Sequence, residues 1–186
     1  DSSFIYFYYK KLKQNNFDGL ITLSSDESNN QISLDGYLKL YLLNSFNNGE
    51  RIKINYNSID EGFKILKTNL KLPFIFNSDL SIESSLNITQ KDSAYNSSNI
   101  LFKTGLERRK ISNYLGLNLE NSTSEFSNNI YANFKSFQIF YELNYQLFNN
   151  DKNALNKIFS ISAKFSLGHK KQLGNRSTKN NFDIEI

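Results

Sequence analysis

Glu83, Glu107, Glu120 and Glu142 have the residue type for acid–base work, and they fall on the polar side of four separate alternating stretches. Two carboxylates facing each other across a cleft can run glycoside hydrolysis, one as acid and the other as base or nucleophile. No local motif pairs any two of these four, and they read as side chains solvated by a watery interior. The single histidine, His169, sits beside Lys170 and Lys171 at what reads as the start of a loop. One imidazole cannot build a multi-histidine metal centre, and the absence of cysteine removes thiolate ligands and disulfides together. His169 therefore reads as solvated. No phosphate-cradling glycine loop, zinc spacing or nucleophile elbow is present. Asn121-Ser122-Thr123 matches a glycosylation sequon, a match that an Asn-rich chain produces by chance. No cofactor, no metal and no enzymatic activity are expected.

The elements that must position these side chains are strands. From Phe17 onward apolar and polar residues take turns: Leu34, Leu38, Leu40 and Leu42 against Asp35, Lys39 and Tyr41. A strand puts successive side chains on opposite faces, so period two means one greasy face and one wet face. The pattern predicts strands at about 17–25, 32–44, 51–58, 63–72, 80–90, 99–107, 111–120, 136–148 and 157–168, with a tenth starting at Phe182. Asn47-Asn48-Gly49-Glu50, Asp60-Glu61-Gly62 and Arg108-Arg109-Lys110 are the turn signals between some of them. Pro73 falls at a strand end, where a missing N–H does least harm. The stretch 169–180 is expected to be a basic loop, whose Lys170, Lys171, Arg176 and Lys179 could touch lipopolysaccharide phosphates but read rather as plainly solvated. No helix is expected after residue 17.

Bulk properties narrow the class. A net charge of +4 is too mild to argue for nucleic acid. Mean hydropathy is −0.51, yet 15% of residues are aromatic, which suits amphipathic strands better than a thick dry core. No apolar run approaches the roughly 18 residues of a spanning helix, whereas the signal of a spanning strand is weak and alternating by nature. Three features favour a membrane barrel over a soluble sandwich. The expected strands are long against a usual mode of roughly five to six residues. Their apolar sides are uniformly Leu, Ile and Phe. Their wet sides carry full charges at mid-strand, among them Lys39, Lys53, Lys67, Lys71 and Glu83. Connections also alternate between short turns and longer polar loops, as outer-membrane barrels do.

Upstream, Phe4 to Tyr9 is apolar or aromatic on both sides and ends in Lys10-Lys11-Leu12-Lys13. It breaks the later pattern, so a domain boundary is expected near residues 13–16. Asp1 is not followed by a basic segment and an apolar one, which reads as a signal already removed or as an internal piece.

The order of these segments resembles the outer-membrane assembly family of BamA and TamA, most closely its Bacteroidetes-type members. The resemblance rests on the two-sided strand ending in lysines, on Asn16-Phe17-Asp18-Gly19, and on Asp35-Gly36-Tyr37-Leu38-Lys39-Leu40 followed by Asn48-Gly49-Glu50-Arg51. Asn69-Leu70-Lys71-Leu72-Pro73-Phe74-Ile75-Phe76 is similar to the family's turn after the fourth barrel strand. The resemblance implies that residues 1–14 are the last strand of a periplasmic POTRA module. Residues 15–186 would then be the N-terminal part of a barrel of about sixteen strands, incomplete at its C-terminal end. The family's late Arg-Gly-Phe/Tyr loop motif and its closing strand are absent.

The fold expected is thus all-β, an antiparallel meander holding about nine or ten strands of a transmembrane β-barrel. The function implied is folding and insertion of other barrel proteins. The first barrel strand, Phe17, Asp18, Gly19, Leu20, Ile21, Thr22 and Leu23, would be a weakly closed edge that accepts a client strand through its backbone. The partners implied are outer-membrane lipids, unfolded outer-membrane client proteins and accessory lipoproteins, in the outer membrane of a Gram-negative bacterium. The competing expectation is a porin-like channel, with Lys39, Lys53, Lys67 and Lys71 giving a mild anion preference. A barrel-embedded hydrolase is disfavoured, because no nucleophile–base pair can be assembled.

Overall fold

The computed structural model describes residues 15–26, 31–58, 62–91, 94–124, 133–151, 154–172 and 178–185. Ten strands follow one another: β1 (Asn16–Asp26), β2 (Gln31–Leu43), β3 (Arg51–Ser58), β4 (Phe63–Ile75), β5 (Leu80–Lys91), β6 (Tyr95–Glu107), β7 (Ile111–Ser124), β8 (Phe134–Asp151), β9 (Ala154–Gln172) and β10 (Thr178–Glu185). They make one antiparallel sheet in chain order, with β1 and β10 as its two edges. The sheet is not closed, and no helix occurs among the described residues. This is the all-β meander that the alternation predicts, and it is consistent with part of a β-barrel. The two-sided strand expected within residues 1–14 lies outside the described residues.

The strands differ from expectation mainly at their ends. β7 continues to Ser124, β9 to Gln172, and β10 starts already at Thr178. The stretch read as a basic loop is therefore largely ladder: His169 pairs with Asn180, Lys170 with Lys179 and Lys171 with Thr178. Alternation loses its signal where both faces turn polar, while the backbone hydrogen bonds continue regardless. β4 runs through Pro73 to Ile75, with a register shift between Leu72 and Ile75. An irregularity of this kind is a place where a sheet tolerates proline.

Residues paired across adjacent strands share a face, so the register defines rows. One row crosses seven strands as Arg51, Lys71, Glu83, Lys103, Gly116, Phe140 and Ser166. The opposite face carries Leu40, Ile54, Thr68, Leu86, Ile100, Leu119 and Phe137 in a parallel row. From β6 to β9 exposure is reversed from that of a soluble sheet, whereas on β3 Arg51 and Lys53 are exposed and Ile52 and Ile54 less so. The Lys103 side chain is 17% exposed, whereas Leu115 is 58% exposed. The hydrophobic residues buried among those described, Tyr114 and Phe140, both lie on the charged face. A half-wetted antiparallel sheet normally buries its apolar side and solvates its polar side. Here none of the described residues covers the apolar face.

The β2–β3 turn is held by hydrogen bonds that the side chains of Asn44 and Glu50 accept. Asn44 and Asn47 take left-handed φ values of 52° and 62°, and Gly49 one of 73°. A Cβ on Gly49 would stand 3.2 Å from the ring of Pro73, so both backbone and space call for glycine. Glu50, only 2% exposed, closes the turn from inside. Its Oε1 accepts the Phe46 N–H at 2.6 Å and its Oε2 the Asn48 N–H at 3.1 Å. These amide donors, Phe46 foremost, hold the carboxyl below its ordinary value of 4.5 against the opposing pull of burial. The depressed folded value means the turn is supported fully above pH 4.5 and loses that support as pH falls through the folded value. A Glu50→Gln variant should flatten this acid limb. Denaturant unfolding of the parent and the variant across the acid range checks it.

Candidate functional site

Two regions position residues singled out from the sequence. The first is the charged face between β4 and β9. Lys71 on β4 donates to Glu107 on β6, and the Tyr114 hydroxyl donates to the same Glu107 oxygen. Lys103 stands between Glu83 on β5 and Glu142 on β8, 3.5 Å from each. Its ammonium also lies 4.6 Å from the Tyr114 ring centroid. The remaining oxygens are engaged too: Asn69 Nδ2 donates to Glu83 Oε1 at 3.1 Å, and Asn144 Nδ2 to Glu142 Oε1 at 2.7 Å. β7 lies between Lys103 and Glu142. On it, the Phe140 ring fills the space that a Cβ on Gly116 would take. Lys164 lies 5.1 Å above that ring.

Lys71, Lys103 and Lys164 thus face Glu83, Glu107 and Glu142 on one surface. Each of these acids has a cation or an amide donor on it. The arrangement ties strands that are not neighbours, β4 to β6 and β6 to β8, through side chains that are only 17–29% exposed. Of the four glutamates singled out, the structure brings three together through lysines. It leaves Glu120 further along β7, between Asn99 and Ser136. Sequence reasoning placed the acids on one face but missed their lysine partners, because partnership depends on register. His169 does not join the acids: it stands on the apolar face, paired with Phe137. Among the described residues no group of three or more His, Cys, Asp or Glu residues gathers to hold a metal ion.

The second region is β1. Phe17, Gly19, Ile21 and Leu23 lie on the apolar face opposite Leu40, Leu38, Gly36 and Leu34. Asp18, Leu20 and Thr22 lie on the charged face, where Asp18 Oδ1 accepts the Tyr37 hydroxyl at 3.2 Å. Phe17 is 69% and Leu23 73% exposed, since β1 has a neighbour on one side only. The backbone directions follow from the glycines. The Tyr37 carbonyl oxygen lies 2.9 Å from where a Cβ on Gly19 would stand, and the Leu20 carbonyl fills the Cβ position of Gly36. Both carbonyls therefore point into the β1–β2 ladder, which makes Leu20 and Tyr37 a hydrogen-bonded pair. Antiparallel strands alternate such pairs. Hence Phe17, Gly19, Ile21 and Leu23 aim N–H and C=O at the open side. Gly36 has a φ of 116°, a conformation reserved for glycine, so the partner strand is irregular at the same point.

These seven residues thus form one continuous backbone edge, with four outward donor–acceptor positions at every second residue. No family model, curated protein or solved structure matches this chain.

Proposed function

We propose that this chain is the N-terminal part of an outer-membrane β-barrel of the BamA and TamA assembly family. In this role β1 accepts the strand of an unfolded client protein and so starts its insertion into the membrane. The supporting observation is the β1 edge, with the backbone groups of Phe17, Gly19, Ile21 and Leu23 aimed at the open side. An unpaired strand edge is a template for strand addition, which works through main-chain hydrogen bonds and needs no cofactor or chemical step. The reversed exposure of the two faces on β6 to β9 supports a bilayer around the sheet. A Leu, Ile and Phe face has hydrocarbon as its natural solvent, and a charged face suits a wet lumen. Lipids on the outside, client strands at the edge and accessory lipoproteins are the partners in this role.

The chain contains no cysteine, so a single introduced thiol reports one position. Ile21→Cys in the whole protein should form a disulfide with a cysteine in a client's terminal strand during insertion, in one preferred register. Client insertion without any cross-link from β1 would remove the mechanism. One feature favours the porin-like alternative: Lys39, Lys53 and Lys67 are exposed on the charged face, beside Arg51. Anion-selective conductance in planar bilayers, with no client insertion, would be its signature.

A further inference from the structure

On β7, β8 and β9 the apolar face ends abruptly. The row through Ile100, Leu119 and Phe137 is followed by a row of Ser98, Asn121, Lys135 and Lys171. Lys135 and Lys171 are directly opposed across β8 and β9, and both are exposed. Like charges directly opposed destabilise a sheet unless something neutralises them. No described carboxylate pairs with either lysine. Lys170, one residue away, turns to the charged face and lies 3.7 Å above the Phe134 ring, so it does not share the task. A groove of about 460 Å³ runs along this border, lined by Ile100, Leu119 and Phe137 on its apolar side and by Asn121, Lys135 and Lys171 on its polar side, with Glu120 also in its lining. Asn121 Oδ1, in the wall of that groove, is buried without a hydrogen-bond partner.

We infer that Lys135 and Lys171 form a binding site for the phosphate of a membrane lipid, whose acyl chains lie on the Leu119–Phe137 side of the groove. The inference rests on the bilayer reading of the apolar face. Charge complementarity selects the occupant. Two ammonium groups at the edge of an apolar band meet an anionic headgroup at the depth where its chains meet hydrocarbon. A free anion would gain nothing from the apolar wall. His169, in the row of Phe137 and next to that of the two lysines, adds a polar ring at the edge of the band.

The test uses the whole protein in phosphatidylcholine nanodiscs, titrated with lipid A or with its dephosphorylated form and read by native mass spectrometry. The phosphorylated lipid should be retained preferentially. The double variant Lys135→Gln, Lys171→Gln should weaken its retention roughly tenfold or more, since each basic residue near a membrane surface contributes measurably to holding anionic lipid. Lys39→Gln with Lys67→Gln, on the opposite face, should leave retention unchanged. Equal retention of the two lipids, or an unaffected double variant with normal heat-modifiable migration, would overturn the site. Displacement of the lipid by inorganic phosphate at the same concentration would reassign it to a free anion and overturn the lipid. A protein that does not stay in the nanodisc takes down the bilayer reading as well, which separates the two failures.

Discussion

Ile21→Pro should cripple client insertion while leaving the sheet folded. Ile21 directs its N–H away from β2, as the inward carbonyl of its neighbour Leu20 shows. Proline at this position removes a donor that the β1–β2 ladder does not use, and sheets tolerate proline on the outer side of an edge strand. An incoming strand would lose that donor, and its own carbonyl would be left without a partner. An unmade hydrogen bond at a buried site costs about 1–3 kcal/mol, which is about fivefold to 150-fold in pairing. Inside a bilayer the penalty is larger, since no water stands in. Leu20→Pro is the contrasting variant: it removes a donor inside the ladder opposite Tyr37 and should loosen the β1–β2 hairpin itself. A reconstituted insertion assay, run beside heat-modifiable gel migration, reads both effects. Normal insertion by the Ile21→Pro protein would rule out strand addition at β1.

Lys103→Met should produce the largest loss of stability of any single change on the charged face. The substitution keeps the length of the side chain but strips the cation from between Glu83 and Glu142 and from the Tyr114 ring. Two carboxylates then face each other on a surface with restricted access to water. Removing one partner of a fully buried ion pair costs about 3–5 kcal/mol, and residual solvent access here lowers the expectation to about 1–3 kcal/mol. Adding Glu83→Gln and Glu142→Gln should restore most of it, because the penalty comes from orphaned charge more than from a lost attraction. Urea unfolding in lipid vesicles measures both proteins. A Lys103→Met protein as stable as its parent, or a triple variant no better than the single, would mean that the cluster carries no strand-tying role.

The inner cluster was half legible. Glu83, Glu107 and Glu142 fall on the polar parity of their strands, so their common face follows from counting by twos. Which cation meets which acid does not follow, because Lys103 reaches Glu142 over an intervening strand. The β9 end went unread for a different reason. Leu167, His169 and Lys171 continue one face, and Gly168 and Lys170 the other, but both faces have become polar or small. Hydrophobic periodicity vanishes there although the ladder does not, and the outward direction of Lys171 disappears with it.

What the sequence by itself determined is the meander: strand after strand with one apolar and one charged side, joined by turns rich in Asn and Gly. Side-chain parity and turn preference are local properties of the chain, so they need no tertiary information. The structure alone decided the register, and with it the lysine–glutamate ties, the backbone direction of Ile21 and the opposed pair Lys135 and Lys171. Register comes from turn geometry, bulges and strand ends acting together. A shift of one residue in a strand would have turned every side chain of that strand to the other face.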